Sequence, residues 1–475
     1  MNENPVACQP DTRPPLGVTS ALGEWAATLE YQHIPSGVMA VIKRSLLDSL
    51  GCGIYGAAQA WGKIAAQTVV GFGGGGRSSL FGRSEKVSVP DAALANGTAI
   101  HGFEIDDLHL AGMVHPGAVT IPGTLAIAEV ELLSGKNFLC AIAAGYETGI
   151  RLGICAGTSH ATSGYHATGT VGTICSAAAA ARALKLDGRQ SMHALGISAT
   201  QAAGLYSARM GAMSKRLHAG RAAQSGVIAA YLASNGFTGS DVALEAPFGG
   251  FLSTMHGENN PATILSALGE RWETMDVGLK LHASCGSSHT TVDGLDEMMA
   301  NGLSPQNLEH LSIRMCRKAM VNVGWEYKPS TVVAAQMNGY FVAAVKLLEG
   351  AAFINQFREE LLADPRILEL IRHIEYVHDP ALDLGGAAKR HAVIIEARLK
   401  DGRVLRNHVE QRRGSASRPV PIAEVEQKFR LLTAKQLKNS AIENVIELVN
   451  NLENEPNLDR LCICLRMLVS KQDID

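Results

Sequence analysis

Apolar residues recur at three- and four-residue spacing through most of the chain from about residue 18 to 275. The segments "VMAVIKRSLLDSLGCGIYG" (38–56), "AAGYETGIRLGICAG" (143–157) and "VGTICSAAAAARALKLDG" (171–188) each predict a helix with a wide buried face. Gly188, after the last apolar position of the third segment, reads as a helix stop. Near the other end, "AIENVIELVNNLENEPNLDRLCICLRML" (441–468) predicts two more helices. Between these regions the pattern changes period. "NLEHLSIRMCRKAM" (307–320) reads as a strand entering a loop. In "HAVIIEARLKDGRVLRNHVEQ" (391–411), two β-branched runs flank Asp401-Gly402, the chemistry of a tight hairpin. The expected fold is mainly α: a large all-helical domain built from both chain ends (18–277 and 416–475), with a smaller α+β lid domain inserted at 278–415. "RRGSASRPV" (412–420) reads as the return linker.

Composition narrows the class. The chain has 475 residues, 46% hydrophobic and 18% charged, with 49 glycines, as in a well-buried enzyme rather than a disordered chain. Its net charge is −3 and no basic run is interleaved with aromatics, so a nucleic-acid partner is not expected. Residues 152–181 lack charge but are broken by Ser, Thr, Gly and two histidines, so no membrane span is expected. The polar start "MNENPVACQPDTRPPLG" has no apolar signal core, which predicts a cytoplasmic protein. The nine cysteines form no CxxC and are expected reduced, without structural zinc.

Against this charge-poor background, four clusters of titratable residues stand out. "NGTAIHGFEIDDLHLAGMVHPG" (96–117) holds His101, Glu104, Asp106, Asp107, His109 and His115. Its spacing is not H-E-x-x-H; a metal hydrolase using His101, Glu104 and His109 is the metal-dependent alternative. Asp106 and Asp107 have the bland role of capping a helix or holding loop amides. "SGYHATGTVGT" places Tyr165 and His166 in an uncharged stretch, where a core histidine is the plainer reading. "MGAMSKRLHAGRAAQSG" carries Lys215, Arg216, His218 and Arg221, with Lys215 and His218 on one helical face and small flanking residues that suit burial better than a solvated helix end. "GLKLHASCGSSHTTVDG" offers Lys280, His282, Cys285 and His289 on a Ser/Thr-rich loop suited to an anion; no acylation motif accompanies Cys285, which reads as an inert pocket residue. "VGFGGGGRSS" satisfies G-x-G-x-x-G from Gly71 to Gly76, but an extended segment follows it rather than a helix, so it reads as a turn.

Together the clusters supply histidines and lysines with few partner acids and no cofactor motif. That suits binding a small di- or tricarboxylate and moving a proton at a carbon beside a carboxylate. Fixed cations stabilise the developing charge by about 3–4 kcal/mol per well-placed donor, and a neutral-range base adds about a hundred- to ten-thousand-fold.

The segments "AALANGTAIHGFEIDDLH" with "HPG", "KRLHAGRAAQSG" and "KLHASCGSSH" resemble the MmgE/PrpD family, which includes 2-methylcitrate dehydratases, cis-aconitate decarboxylases and iminodisuccinate epimerases. The resemblance runs over nearly the whole chain, from "SLLDSLGCGIYG" through "PSTVVAAQMNGYFVAAVKLLEG" to "RRGSASRPV". It implies a helical domain with an inserted lid, a homodimer, a site between the two domains and no cofactor. It also implies that Glu104 stands where decarboxylases have aspartate, and that His115, His166, Lys215 and Lys280 match family positions. His166 or His115 then moves the proton, and Lys215 and Lys280 pair with substrate carboxylates. His218 and His289 support them, with Glu104, His109, Cys285 and Tyr165 as further substrate contacts. Leu108 and Cys285 replace a threonine and a histidine of the decarboxylase pattern, which puts dehydration of a 2-methylcitrate-like substrate first, before decarboxylation. Epimerases are expected to have tyrosine near 166 and arginine near 280, where this chain has Tyr165 and Lys280; epimerisation comes third. A catalytically silent anion-binding or assembly protein is the remaining alternative.

Overall fold

In the computed structural model, which describes residues 17–73, 75–386 and 389–466, nine helices fill the first half of the chain. They are α1 (Val18–Thr28), α2 (Ser36–Ala57), α3 (Ala60–Gly71), α4 (Val89–Ile100), α5 (Pro116–Glu131), α6 (Gly135–Thr162), α7 (Ala167–Ala183), α8 (Gly188–Ala199) and α9 (Ser214–Ser234). Helices α5, α6 and α7 are apolar almost all round and correspondingly buried on nearly every side. Helix α6 is long and apolar enough to cross a membrane by composition, but it lies inside the protein and kinks at Gly157 (φ 69°).

Small residues set how closely these helices approach. Where α4 crosses α9, a Cβ on Gly97 would lie 2.9 Å from the Gly220 Cα, and one on Gly220 would lie 2.2 Å from the Leu94 carbonyl oxygen. The two backbones therefore touch. This contact carries the chain just after α4 to the first turn of α9.

Two local expectations are corrected. Helix α7 stops at Lys185, which takes the left-handed conformation (φ 55°), whereas Gly188 opens α8. Asp187 caps that helix in a reciprocal capping box with Gln190. The strand at Leu308–Met315 leads into a helix, Arg317–Val323, rather than a loop, because the Cys316 thiol accepts from the Ala319 N–H as a cap. The glycine-rich loop follows helix α3 instead of a strand, so it lacks the setting of a dinucleotide fingerprint.

The four longest strands form one sheet in the order Ile374–His378, Leu308–Met315, Val393–Leu399, Val404–Val409. The first pair is parallel and the other two are antiparallel. The expected hairpin is present; Leu399 bonds Arg403 across the turn, and Gly402 takes φ 86°.

After the sheet, the helix Ile422–Thr433 returns to α2, where Phe429 packs on Gly51. From this helix the buried Lys428 ammonium donates to Asp48 Oδ1 (2.5 Å) on α2, to the Ile105 carbonyl (2.6 Å) and to the Lys280 carbonyl (2.7 Å). One cation thus fixes the loop after α4 and the segment carrying Lys280 to the same frame. The predicted pair of C-terminal helices is seen at Asn439–Asn450 and Asp459–Cys464; residues 467 and 468 of that segment lie outside the described residues.

Candidate active site

Three of the core helices begin at one place. His115 immediately precedes α5 and His166 immediately precedes α7, neither side chain capping its helix, while Lys215 lies in the first turn of α9. Helix N-termini present unpaired N–H groups and partial positive charge, so their convergence favours an anion. Pro116 starts α5 and keeps His115 out of the helical region (φ −97°, ψ 85°), short of the extended backbone that the His-Pro dipeptide predicts. Across the gap, Leu108 and His109 pair antiparallel with Gly278 and Val277, two residues before Lys280. Gln336 ties the same parts together, its side-chain amide N–H donating to the Phe103 (2.9 Å) and Ala283 (3.0 Å) carbonyls while its backbone carbonyl accepts from the Cys285 N–H (2.9 Å).

These elements enclose a cavity of about 150 Å³, smaller than typical sites for drug-sized ligands. Of the residues singled out in the sequence, Glu104, His115, Tyr165, His166, Lys215, His218, Lys280 and Cys285 border it. His109 and His289 do not. His109 accepts from the Gly112 N–H (2.9 Å), and His289 turns toward the Ser284 carbonyl (3.3 Å). Tyr206, Lys318, Arg390 and His391 border the cavity as well, and the sequence reading missed all four. The basic triplet "KRH" at 389–391, immediately before a strand, was the available signal.

Glu104 is the electrostatic centre. Its backbone takes the left-handed conformation (φ 59°), unusual for a glutamate. Its side chain meets three cations: Lys215 and Arg216 on Oε1, and Lys280 on Oε2 at 3.2 Å. Burial pushes the Glu104 carboxyl up, but the Lys215, Lys280 and Arg216 charges outweigh it and hold the group well below the ordinary carboxylate range. One anion against three cations leaves a net positive cluster. Lys215 and Lys280 present theirs to the cavity, whereas Arg216 backs the carboxylate from behind, with its guanidinium 5.8 Å from the Trp61 ring.

A second network runs through the histidines. Asp106 Oδ2 lies 2.7 Å from His101 Nδ1 and 3.1 Å from His115 Nδ1. Burial raises Asp106, but His115 and His101 hold it well below its ordinary range, and burial lowers His101 to about 3, so a neutral His101 donates to an ionised Asp106. Asp107 has a different task. It accepts from the Gly117 N–H (3.0 Å) at the start of α5 and from the Tyr146 hydroxyl (2.7 Å), with burial raising it to about 8.

His166 and His218 touch through their Nδ1 atoms at 3.0 Å. Burial lowers both, with Lys215 adding to the effect, so both are neutral at pH 7. One ring must then donate through Nδ1 and keep a basic Nε2, while the other accepts through Nδ1 and carries its proton on Nε2. The pair therefore offers one base and one N–H donor to the same cavity.

Among the described residues, two groups come close enough to share an ion: His101, Asp106 and His115, and His109, Glu273 and Asp276. In the first, both imidazoles already point at one carboxylate oxygen, so its donors are spent on each other. The set His101, Glu104 and His109 is not brought together in either group.

A cationic cavity with paired imidazoles suits acid–base chemistry on a small anion. Residues 20–263 match the MmgE/PrpD N-terminal domain and residues 282–454 the MmgE/PrpD C-terminal domain, and the chain belongs to the MmgE/PrpD family. It is a lyase of the dehydratase/decarboxylase type. Similar proteins include the cis-aconitate decarboxylase-like protein oryM of Aspergillus oryzae, 29% identical over 95% of this chain and 98% of that protein. The cis-aconitate decarboxylase of Aspergillus terreus is 28% identical over 95% of this chain and 96% of its own length. The human cis-aconitate decarboxylase is 29% identical over 90% of each chain.

Proposed function

We propose that this enzyme decarboxylates a small unsaturated tricarboxylate of the cis-aconitate type. The observation that carries the reading is the pairing of a net-positive cluster, Lys215 and Lys280 around Glu104, with neutral His166 and His218 in one small cavity. The lysines hold substrate carboxylates. The C–C bond to one carboxylate breaks, CO₂ leaves, and the electron pair spreads into the adjacent double bond and carboxylate. A histidine N–H then delivers a proton to carbon.

Sequence reasoning placed dehydration first because Leu108 and Cys285 depart from the decarboxylase pattern. His391 supports reversing that order. It borders the cavity with Cys285, and a Cβ on Gly286 would lie 3.4 Å from its Cε1, so an imidazole stands on that side although position 285 holds a cysteine. The names of the similar proteins point the same way. Dehydration remains the second reading because the His166–His218 pair provides both the base and the donor that loss of water requires.

Proton NMR in D₂O, run separately with cis-aconitate and 2-methylcitrate, tests this. The expected result is itaconate carrying one deuterium from cis-aconitate. Loss of water from 2-methylcitrate with cis-aconitate untouched would make the enzyme a dehydratase.

A further inference from the structure

The cavity opens outward into a larger cleft, and the two share Ala161, Tyr206, Lys318, Asn322 and Arg390. Lys318 and Arg390 therefore stand at the throat through which a ligand passes. Their backbones are firmly placed. Lys318 is the second residue of the helix capped by Cys316, and that thiol also donates to the Arg390 carbonyl (3.0 Å). The next carbonyl, that of His391, accepts from the Thr290 hydroxyl (2.6 Å). The Arg390 guanidinium donates through Nη2 to the Leu110 carbonyl (2.7 Å), which turns it toward the loop on the far wall.

The cations at the throat have no direct ion-pair partner among the described residues. Lys215 and Lys280 have Glu104, and Lys428 has Asp48, but neither Lys318 nor Arg390 forms an ion pair among the described residues. Glu258, the acid nearest in effect to Lys318, offsets part of its charge from a distance, but its carboxylate is bonded by the Thr158 hydroxyl (2.7 Å) and the Ser159 N–H rather than by the lysine. Burial lowers Lys318, and the neighbouring Arg390 lowers it further, by more than Glu258 raises it, as two neighbouring cations should do. Holding two like charges together in a half-buried throat is unfavourable until an anion arrives between them.

We propose that Lys318 and Arg390 form a second anion subsite, which binds a carboxylate of the substrate remote from the Glu104 cluster and selects tricarboxylates over dicarboxylates. This rests on the reading above that the substrate is a polycarboxylate. The bidentate geometry of arginine suits a carboxylate, with lysine adding a point charge.

The test is calorimetric binding of tricarballylate, a saturated tricarboxylate, and of glutarate, which has the same chain without the central carboxylate. The proteins are the wild type, Lys318→Gln, Arg390→Gln and the double variant. The wild type should prefer tricarballylate by at least about tenfold, and the double variant should bind it about ten- to a hundredfold more weakly, with the preference lost. Unchanged tricarballylate affinity in the double variant, or no preference in the wild type, would overturn the proposal. Circular dichroism checks folding. If Arg390→Gln unfolds, Lys318→Gln and Arg390→Lys decide, the first being expected to lose preference and the second to keep it. Release of CO₂ from cis-aconitate is followed in parallel. Normal probe binding without CO₂ release overturns the decarboxylase reading alone, whereas full turnover with variants indistinguishable from wild type overturns the subsite alone.

Discussion

Glu104 shows how one side chain can organise a site without performing its chemistry. Its carboxylate gives Lys215, Lys280 and Arg216 a common origin, and removing that charge leaves three buried cations facing one another. Glu104→Gln should therefore destabilise the fold by about 3–5 kcal/mol, as breaking a buried ion pair does. It should also cut turnover about a hundredfold through misplaced lysines. Urea unfolding and steady-state rates check both; a variant as stable as wild type would show that the cluster does not depend on its anion. At this scale the sequence was partly legible. Residue types and their clustering pointed to His115, His166, Lys215 and Lys280, all of which border the cavity. The same texture surrounded His109 and His289, whose rings turn to a backbone N–H and a carbonyl instead, and no spacing rule separates those outcomes. Arg390 and His391 lie far along the chain from the other clusters, and only the sheet brings them in.

At the scale of elements, the crossing of α4 and α9 connects packing to catalysis. Glu104 follows α4 by four residues and Lys215 opens α9, so the separation of the two backbones sets whether the ions meet. At Gly220 a methyl group would fall 2.2 Å from both the Leu94 carbonyl oxygen and the Thr98 hydroxyl oxygen, and the helices must part to admit it. Gly220→Ala should cost about 1–3 kcal/mol by overpacking and lower kcat more than it raises KM. An unchanged melting temperature together with unchanged kcat would refute that link. Helices and the hairpin were readable because burial imposes period on the sequence. The end of α7 was misread because glycine serves equally after one helix and at the first position of the next; Asp187 and Gln190, three apart, carried the deciding signal.

For the whole molecule, buried neutral histidines make stability depend on pH. Burial holds His101 at about 3 and His109 at about 4, against an ordinary value of 6.5, and keeps His166, His289 and His391 well below it. The unfolded chain thus binds more protons than the folded one below about pH 6.5, so the stability these groups contribute is present above that pH and lost as pH falls toward about 3–4. Each contributes about 1.4 kcal/mol per pH unit. Asp107, raised to about 8, acts oppositely between its ordinary 3.8 and that value, and Asp48 and Asp276, which burial also raises, act with it, but the five histidines outnumber these three. The urea midpoint should fall steeply from pH 7 to pH 5; a flat profile would contradict the neutral assignment.

Lys428 adds a constraint in time. It joins the Lys280 carbonyl, the loop at Ile105 and Asp48, the last lying 380 residues earlier in the chain. A ribosome makes these parts in order, and the ammonium that holds them together comes last. The helices of the first half can gather while synthesis continues, but the Lys280 segment and the loop at Ile105 gain this anchor only after residue 428 has emerged. A chain released before that point lacks the cation that ties the two walls of the cavity to α2.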